Sequence, residues 1–452
     1  MRAGKRQGFV ALVALIFLAV FCALGVAFSG LATTNVQIAH NHHLGNGALA
    51  AASSGGEVVR YWLSQAPISS AVAPEDRLST LAAGVQQQLA AHDVTNVAVQ
   101  YTGSALNFSG TLLDGASFTA VMVQPDSDST SLDTTGVYRG IRRTVRTGFR
   151  YAVAPNPIFA YGVASQGPIS MVGNARILGL SNPGEGCVFI KSPDDNSAFS
   201  MTGNDTVSGE VSIVNPNASV TLTGNISIGG ATGPLESRHH VHTGVPDLAL
   251  PVTEAGVFRP YATTIVDGTT KTTGNTTFTN ILIRRGTNPS FTGNCHIYGV
   301  VFIEQPNIVT FSGNLTIEGM IATDGNVEAP SSANQIKFTG NTTITAPTDR
   351  DKYGDLVDKT GTFLLAPGFS ATFTGNVGTV HGTIACSGLK MTGNSGGTVR
   401  GSIINYANDP MSMTGNDHWT FDHSGLSPLP AGFSGEMILQ YNAGAYDEIA
   451  TP

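Results

Sequence analysis

The chain reads as three patterns in series. Phe9–Phe28 (FVALVALIFLAVFCALGVAF) is a run of twenty residues with no charged or strongly polar side chain. As a helix it is about 30 Å long, the thickness of a bilayer's hydrocarbon core. The composition stays compatible with helix through Ala48–Ala52 and on to Tyr61, Trp62 and Leu63. Gly45, Gly47, Gly55 and Gly56 oppose it, each by up to about 1 kcal/mol relative to Ala. One helix from Phe9 to about Leu63 is therefore expected, with Pro67 as its stop.

A mixed pattern follows over residues 66–154. Leu78, Leu81, Val85 and Leu89 have helical spacing, which predicts a short amphipathic helix over Leu78–Ala91. Val94–Tyr101, Asn107–Leu113 and Ser117–Val123 alternate apolar with polar, as strands do. Asp114-Gly115 is a hairpin signal between the last two. Gln124–Thr135, rich in Asp and Ser, reads as loop. Gly136–Val153 carries Arg139, Arg142, Arg143, Arg146 and Arg150, either a contact for anionic partners or a solvated strand face. Charge runs are more often the second.

The third pattern is a repeat. The tetrapeptide φ-x-Gly-Asn places Asn at 174, 204, 225, 275, 294, 314, 341, 376, 394 and 416. Three residues before each stand Met171, Met201, Leu222, Thr272, Phe291, Phe311, Phe338, Phe373, Met391 and Met413, large and apolar in every case but Thr272. The intervals cluster near twenty residues, and the interval of 50 between Asn225 and Asn275 accommodates two coils plus an insertion. A period of this length with strand-type alternation and no intervening helix predicts a parallel β-helix. Stacking at about 4.8 Å would set each Phe or Met on its counterpart inside the tube. Glycine would make the corner, and the Asn side chains would hydrogen-bond along the stack. Two segments should bulge from the tube, one between Gly229 and Lys271 and the charged stretch Pro347–Thr360. The tail from Asp422 is expected to cap the open end, because a bare edge would pair with another chain.

Charge narrows the functions. Lys plus Arg number 23 against 31 for Asp plus Glu, a net charge of −8, which disfavours a nucleic-acid partner bound through a basic face. Only 12% of residues are charged, as expected of uncharged Thr and Ser on outward strand positions. Arg2, Lys5 and Arg6 precede the apolar run, and the next charge is Glu57. That asymmetry predicts a cytoplasmic N-terminus, a single inner-membrane span and export of the rest. A cleaved secretory signal ending near Gly30-Leu31-Ala32 is the alternative, but the apolar run exceeds the usual 7–15 residues.

Candidate chemistry is sparse. Asp417, His418, Asp422 and His423 could form a polysaccharide-cleaving cluster, or could be ordinary coil-surface residues. His239, His240 and His242 have a spacing that can chelate a metal such as zinc, yet no carboxylate or cysteine stands near them in sequence. His40, His42 and His43 carry less. Cys22, Cys187, Cys295 and Cys386 are far apart with no CxxC, so neither a zinc site nor a disulfide framework is indicated. Cys295 reads as a small interior hydrophobe. No nucleotide or dinucleotide fingerprint occurs, and no cofactor is expected.

The basic leader ending in Gly8, the hydrophobic Phe9 and the spanning helix that runs on into the exported part resemble the type IV pilins, in particular the PilX-like minor pilins and pseudopilins. Val13 stands where most major pilins carry glutamate, an acid that some minor pilins and the PilX-like group also lack. The resemblance covers about the first 65 residues. It implies cleavage between Gly8 and Phe9 by a prepilin peptidase, and partners that are other pilin or pseudopilin subunits and membrane lipid. The expected organisation is a leader (1–8), a transmembrane and extended helix (9–65), a small α+β domain (66–154), a right-handed parallel β-helix (155–425) and a cap (426–452). The expected role is structural and non-enzymatic. A tethered surface protein that binds or cleaves a polysaccharide is the competing reading.

Overall fold

The computed structural model describes residues 5–193, 197–427 and 429–450. The protein is mainly β, preceded by one long apolar helix, α1 (Lys5–Ser64). It divides into two compact units, one running to Ala152 and resuming at Met437, the other Val153–Glu436.

In the first unit α1 is continuous for 60 residues. The four glycines in its second half do not break it. They let it approach a sheet closely: a side chain on Gly47 would meet the ring of Tyr138, and one on Gly55 the ring of Phe118. From the sheet side, a Cβ on Gly136 would strike the α1 backbone at Ala48 and Ala52. Ala48, Ala52 and Val59 are fully buried there. A second helix, α2 (Arg77–Ala91), buries Leu78, Leu81, Val85 and Leu89, the residues its periodicity singled out.

The sheet of this unit has seven strands in the order Ile68–Ser69, Glu436–Ile449, Ile141–Val153, Ser129–Tyr138, Ser117–Val123, Ala105–Thr111 and Val97–Tyr101. Two expectations are corrected here. Residues 124–135 are not all loop, since a strand begins at Ser129, and its inward positions are filled by Thr130, Leu132 and Thr134. Two of those three are polar, which concealed the alternation. Residues 426–452 are not a cap, because Glu436–Ile449 is a strand of this sheet. In sequence, then, the second unit is an insertion between two neighbouring strands of the first.

The second unit is built of tiers of parallel strands, three short ones to a tier in its first run. The first tier is Val163–Ser165, Ile169–Gly173 and Arg176–Gly179. The second (Val188–Ile190, Phe199–Gly203, Thr206–Val207) pairs with it parallel and in register. The third (Val211–Ile213, Val220–Gly224, Ser227–Ile228) pairs likewise with the second. Ala231–Thr232 then turns back antiparallel on Ser227–Ile228, and Val241–Thr243 lies parallel to Val211–Ile213.

At this point the order of the stack departs from the order of the chain. A new run of tiers starts at Thr264–Val266 and Thr276–Ile283, continues through Asn294–Ile303 and Asn314–Thr323, and ends in Ile403–Asn405, Met411–Gly415 and His418–Phe421. These last three strands pair parallel with the first tier. The first tier is thus internal to the stack, with the second tier on one side and the last on the other. The 50-residue interval is accordingly not two coils plus an insertion. It holds the terminal strands after tier three, a traverse, and the start of the second run.

The repeat motif supplies the interior. Phe291, Phe311, Phe338 and Phe373 stack face to face with ring centroids 5.1, 5.3 and 4.7 Å apart. The row continues in register through Met391, Met413, Met171 and Met201 to Leu222. Thr272, the one polar member, lies at the end where the second run begins. The Asn side chains form the expected ladder, with bonds of 3.0–3.3 Å between Asn275 and Asn294, Asn294 and Asn314, Asn394 and Asn416, and Asn416 and Asn174. Corner glycines follow one another: Gly313 has φ +92°, and a Cβ there would crowd the carbonyl of Gly293.

One face of the stack is buried on both sides. Ile281, Ile283, Val301 and Ile303 face the interior cluster, while Leu282, Val300 and Phe302 face outward into a second cluster. That outer cluster is covered by Ala255, Phe258 and Ala262 of the traverse and by Tyr353 and Leu356 of the charged insertion. Strands buried on both faces read as continuous apolar runs, as ILI and VVFI do here. The segment Phe433–Ser434 pairs antiparallel with Val252–Thr253 of the traverse.

Candidate functional site: an exposed apolar helix and the residues singled out for chemistry

The first half of α1 projects its apolar residues outward. Phe9, Leu15, Phe21 and Phe28 are each about two-thirds exposed, at 69%, 68%, 66% and 66%. A helix of this length and hydropathy can cross a membrane. Gly25 and Gly30 have nothing near them, so a neighbouring helix could approach closely at those points. Gly8 and Phe9 lie within the continuous helix. Residues 1–4, including Arg2, lie outside the described residues, as do the side chains of Lys5 and Arg6. Further along, His42 lines a recess of about 360 Å³ with Asn46, Arg143 and Glu448, and His43 meets the ring of Tyr138 edge-on. His40 is exposed.

Two of the five arginines are ion-paired. Arg146 forks onto Asp133 with two bonds of 2.6 Å, and Arg143 pairs with Glu448 at 3.0 Å. Arg139 occupies a positive-φ turn with Gly140. These side chains are those of a solvated face laced with ion pairs.

The histidines after Gly229 have a carboxylate that the sequence did not place beside them. Val211 and Val241 are in register on adjacent strands, which brings Glu210 to His240. Its two oxygens lie 2.8 Å from His240 Nδ1 and 2.9 Å from His242 Nε2. Burial would raise the Glu210 carboxyl, but the two imidazoles outweigh it and hold it below the usual carboxylate range. His239 is exposed and apart. Among the described residues no group of three or more His, Cys, Asp or Glu side chains is arranged to hold a metal ion.

The suspected catalytic cluster is dispersed. Asp417 is fully buried, accepting from Ser395 N at 3.1 Å and Ser395 Oγ at 2.7 Å, and burial pushes its carboxyl up. Asp422 accepts from Ser424 N at 2.9 Å and lies 3.4 Å from Arg400. His418 is exposed, whereas burial holds the His423 imidazole down. Asp417 thus serves the interior and Asp422 a turn. The four cysteines are free thiols. Cys295 and Cys386 are buried, as interior hydrophobes are, and burial raises the Cys386 thiol to about 12.

No family model matches the chain, and no curated protein matches it. Among solved structures it is similar to the crystal structure of the competence-associated pilin ComZ from Thermus thermophilus. The identity is 13% over 90% of this chain and 98% of that one, with a TM-score of 0.25. A likeness at that level carries no argument about this chain.

Proposed function

We propose that the chain is a membrane-anchored, exported structural subunit of the minor pilin or pseudopilin type. In this reading prepilin peptidase removes the leader after Gly8, and the new N-terminal residue is Phe9. The exposed half of α1 then holds the protein in the inner membrane and packs against the helices of other subunits. Val153–Glu436 is displayed outside as a stiff right-handed parallel β-helix, and the protein catalyses nothing.

The observation that carries this reading is the division of α1. One unbroken helix leaves its apolar run Phe9–Phe28 exposed, with only Val13 half-buried, while its second half is packed, through Ala48, Ala52 and Val59, onto a sheet. A removable signal sequence needs no such rigid continuation into a folded unit. The in-register parallel tiers, the Phe–Met row and the Asn ladder support the β-helix. The dispersal of Asp417 and Asp422 favours a non-enzymatic role.

Mass spectrometry of the mature N-terminus, on protein extracted from membranes of its own host, tests the assignment. A chain beginning at Phe9, with or without methylation, is the expected result. A chain beginning near Thr33 would overturn it.

A further inference from the structure

The displayed unit holds a groove of about 860 Å³ on the face that the traverse crosses. Beneath it runs a buried register row. Ala322, Leu365, Ala385, Ile404, Ala164 and Phe189 are consecutive partners on six neighbouring parallel strands. Two positions further along five of these six chain segments come Asp324, Pro367, Tyr406, Gln166 and Lys191, all lining the groove. The groove therefore runs along the stack over five strand-to-strand steps, about 24 Å at ~4.8 Å per step. Residues 249–256 of the traverse form one wall and residues 323–328 the other.

The traverse wall is held in place rather than lying loose. Tyr406 Oη donates to the carbonyl of Pro251 at 2.6 Å, and Glu254 N donates to Gly432 O at 2.7 Å. Lys191, at one end, is bound to Asp247 at 2.8 Å. By contrast, the side chains of Gln166, Glu254, Glu328 and Asn408 make no hydrogen bond or ion pair with other described residues. Amides and carboxylates without partners, spaced along a walled channel, are donors and acceptors left for a ligand.

We propose that this groove binds a linear neutral or amine-bearing glycan lying along the stack. Sugar hydroxyls both donate and accept, and so satisfy carboxylates and amides together. Val252 (65% exposed) offers apolar surface to the C–H face of a ring. Glu254, Asp324 and Glu328 repel a polyuronate or any other polyanion. This binding function goes beyond the assembly role and does not depend on how the N-terminus is processed.

The test uses the full chain in a non-glycosidic detergent, titrated with cellohexaose, chitohexaose and an oligogalacturonate of similar length. Saturable binding of either of the first two, with none of the oligogalacturonate, is expected. The double variant Gln166→Ala/Asn408→Ala should weaken that binding about tenfold through the loss of two hydrogen-bonding groups, with an unchanged melting temperature. Should the double variant melt early, Glu254→Gln on the wall serves instead, and it should also admit the oligogalacturonate. Absence of binding to all three probes, a preference for the oligogalacturonate by the unaltered protein, or full affinity in a folded groove variant would each overturn the proposal.

Discussion

Met413, from the last tier of the chain, lies in register beside Met171, from the first, on neighbouring parallel strands. Both are buried, at 1% and 0% exposure. The seam between the two runs of tiers is therefore as well packed as any junction within a run. Replacing Met413 with Ala should cost about 2–5 kcal/mol, as core truncations of Met do. Its signature is in the distribution of the loss. Hydrogen exchange should rise at Ile169–Gly173 as well as at Met411–Gly415, and a rise confined to the mutated strand would contradict the shared seam.

Adjacent glycines in α1 separate packing from propensity. Gly55→Ala drives a Cβ into the Phe118 ring and should destabilise the first unit by about 1–3 kcal/mol. Gly56→Ala has ordinary clearance to Thr134 and should instead gain up to about 1 kcal/mol of helix propensity. Chemical denaturation of the two variants decides the matter, and equal effects would mean that the helix does not approach the sheet as described.

The Glu210 clamp predicts an acid-labile end to the stack. A carboxylate whose folded pKa is depressed contributes stability that is present above its ordinary value of about 4.3 and is lost as the pH falls through the lower folded value. Because the side chain is 45% exposed, solvent screens the contribution and the effect is local. Hydrogen exchange at Val241–Thr243 should accelerate between pH 5 and pH 3 (roughly the carboxylate range) more than exchange in the inner tiers does. Glu210→Gln should remove that difference. If the variant keeps it, the clamp is not its source.

The thiols should fall into two classes on alkylation of the native protein. Cys386, buried with its thiol raised to about 12, and Cys295, buried likewise, should resist iodoacetamide until denaturant is added. Cys187, half-buried, should react first among the three repeat cysteines. Peptide mapping by mass spectrometry reads this directly, and native labelling of Cys386 would mean the interior opens.

Much of this architecture was legible in the residues themselves. The helix, its stop before Pro67, the Phe–Met row and the Asn ladder all follow from spacing. The order of the tiers did not, because every tier presents the same edge to its neighbours and periodicity carries no address. One clue was present. Met391 and Met413 match Met171 and Met201 in type, while the other run members are Phe, and like residues tend to stack. Glu210 escaped notice for the same reason that the repeat was visible: tier stacking brings together residues thirty apart in sequence, and the aligned Val211 and Val241 would have given the register. Thr130 and Thr134 hid a strand by filling buried positions with hydroxyls. The groove left no sequence signal, since its floor joins Asp324, Tyr406, Gln166 and Lys191 from both runs.

The internal position of the first tier governs what an interrupted chain would become. In a solenoid threaded in order, early termination yields a shorter rod. Here a ribosome that stops within the second run leaves the first tier with a naked strand edge that only Ile403–Phe421 can cover. The product would be a fragment sealed at one end and adhesive at the other. The strands of residues 403–421 thus act as a quality seal on those of residues 163–179, and a chain that reaches its closed form has been made through the whole of its second run.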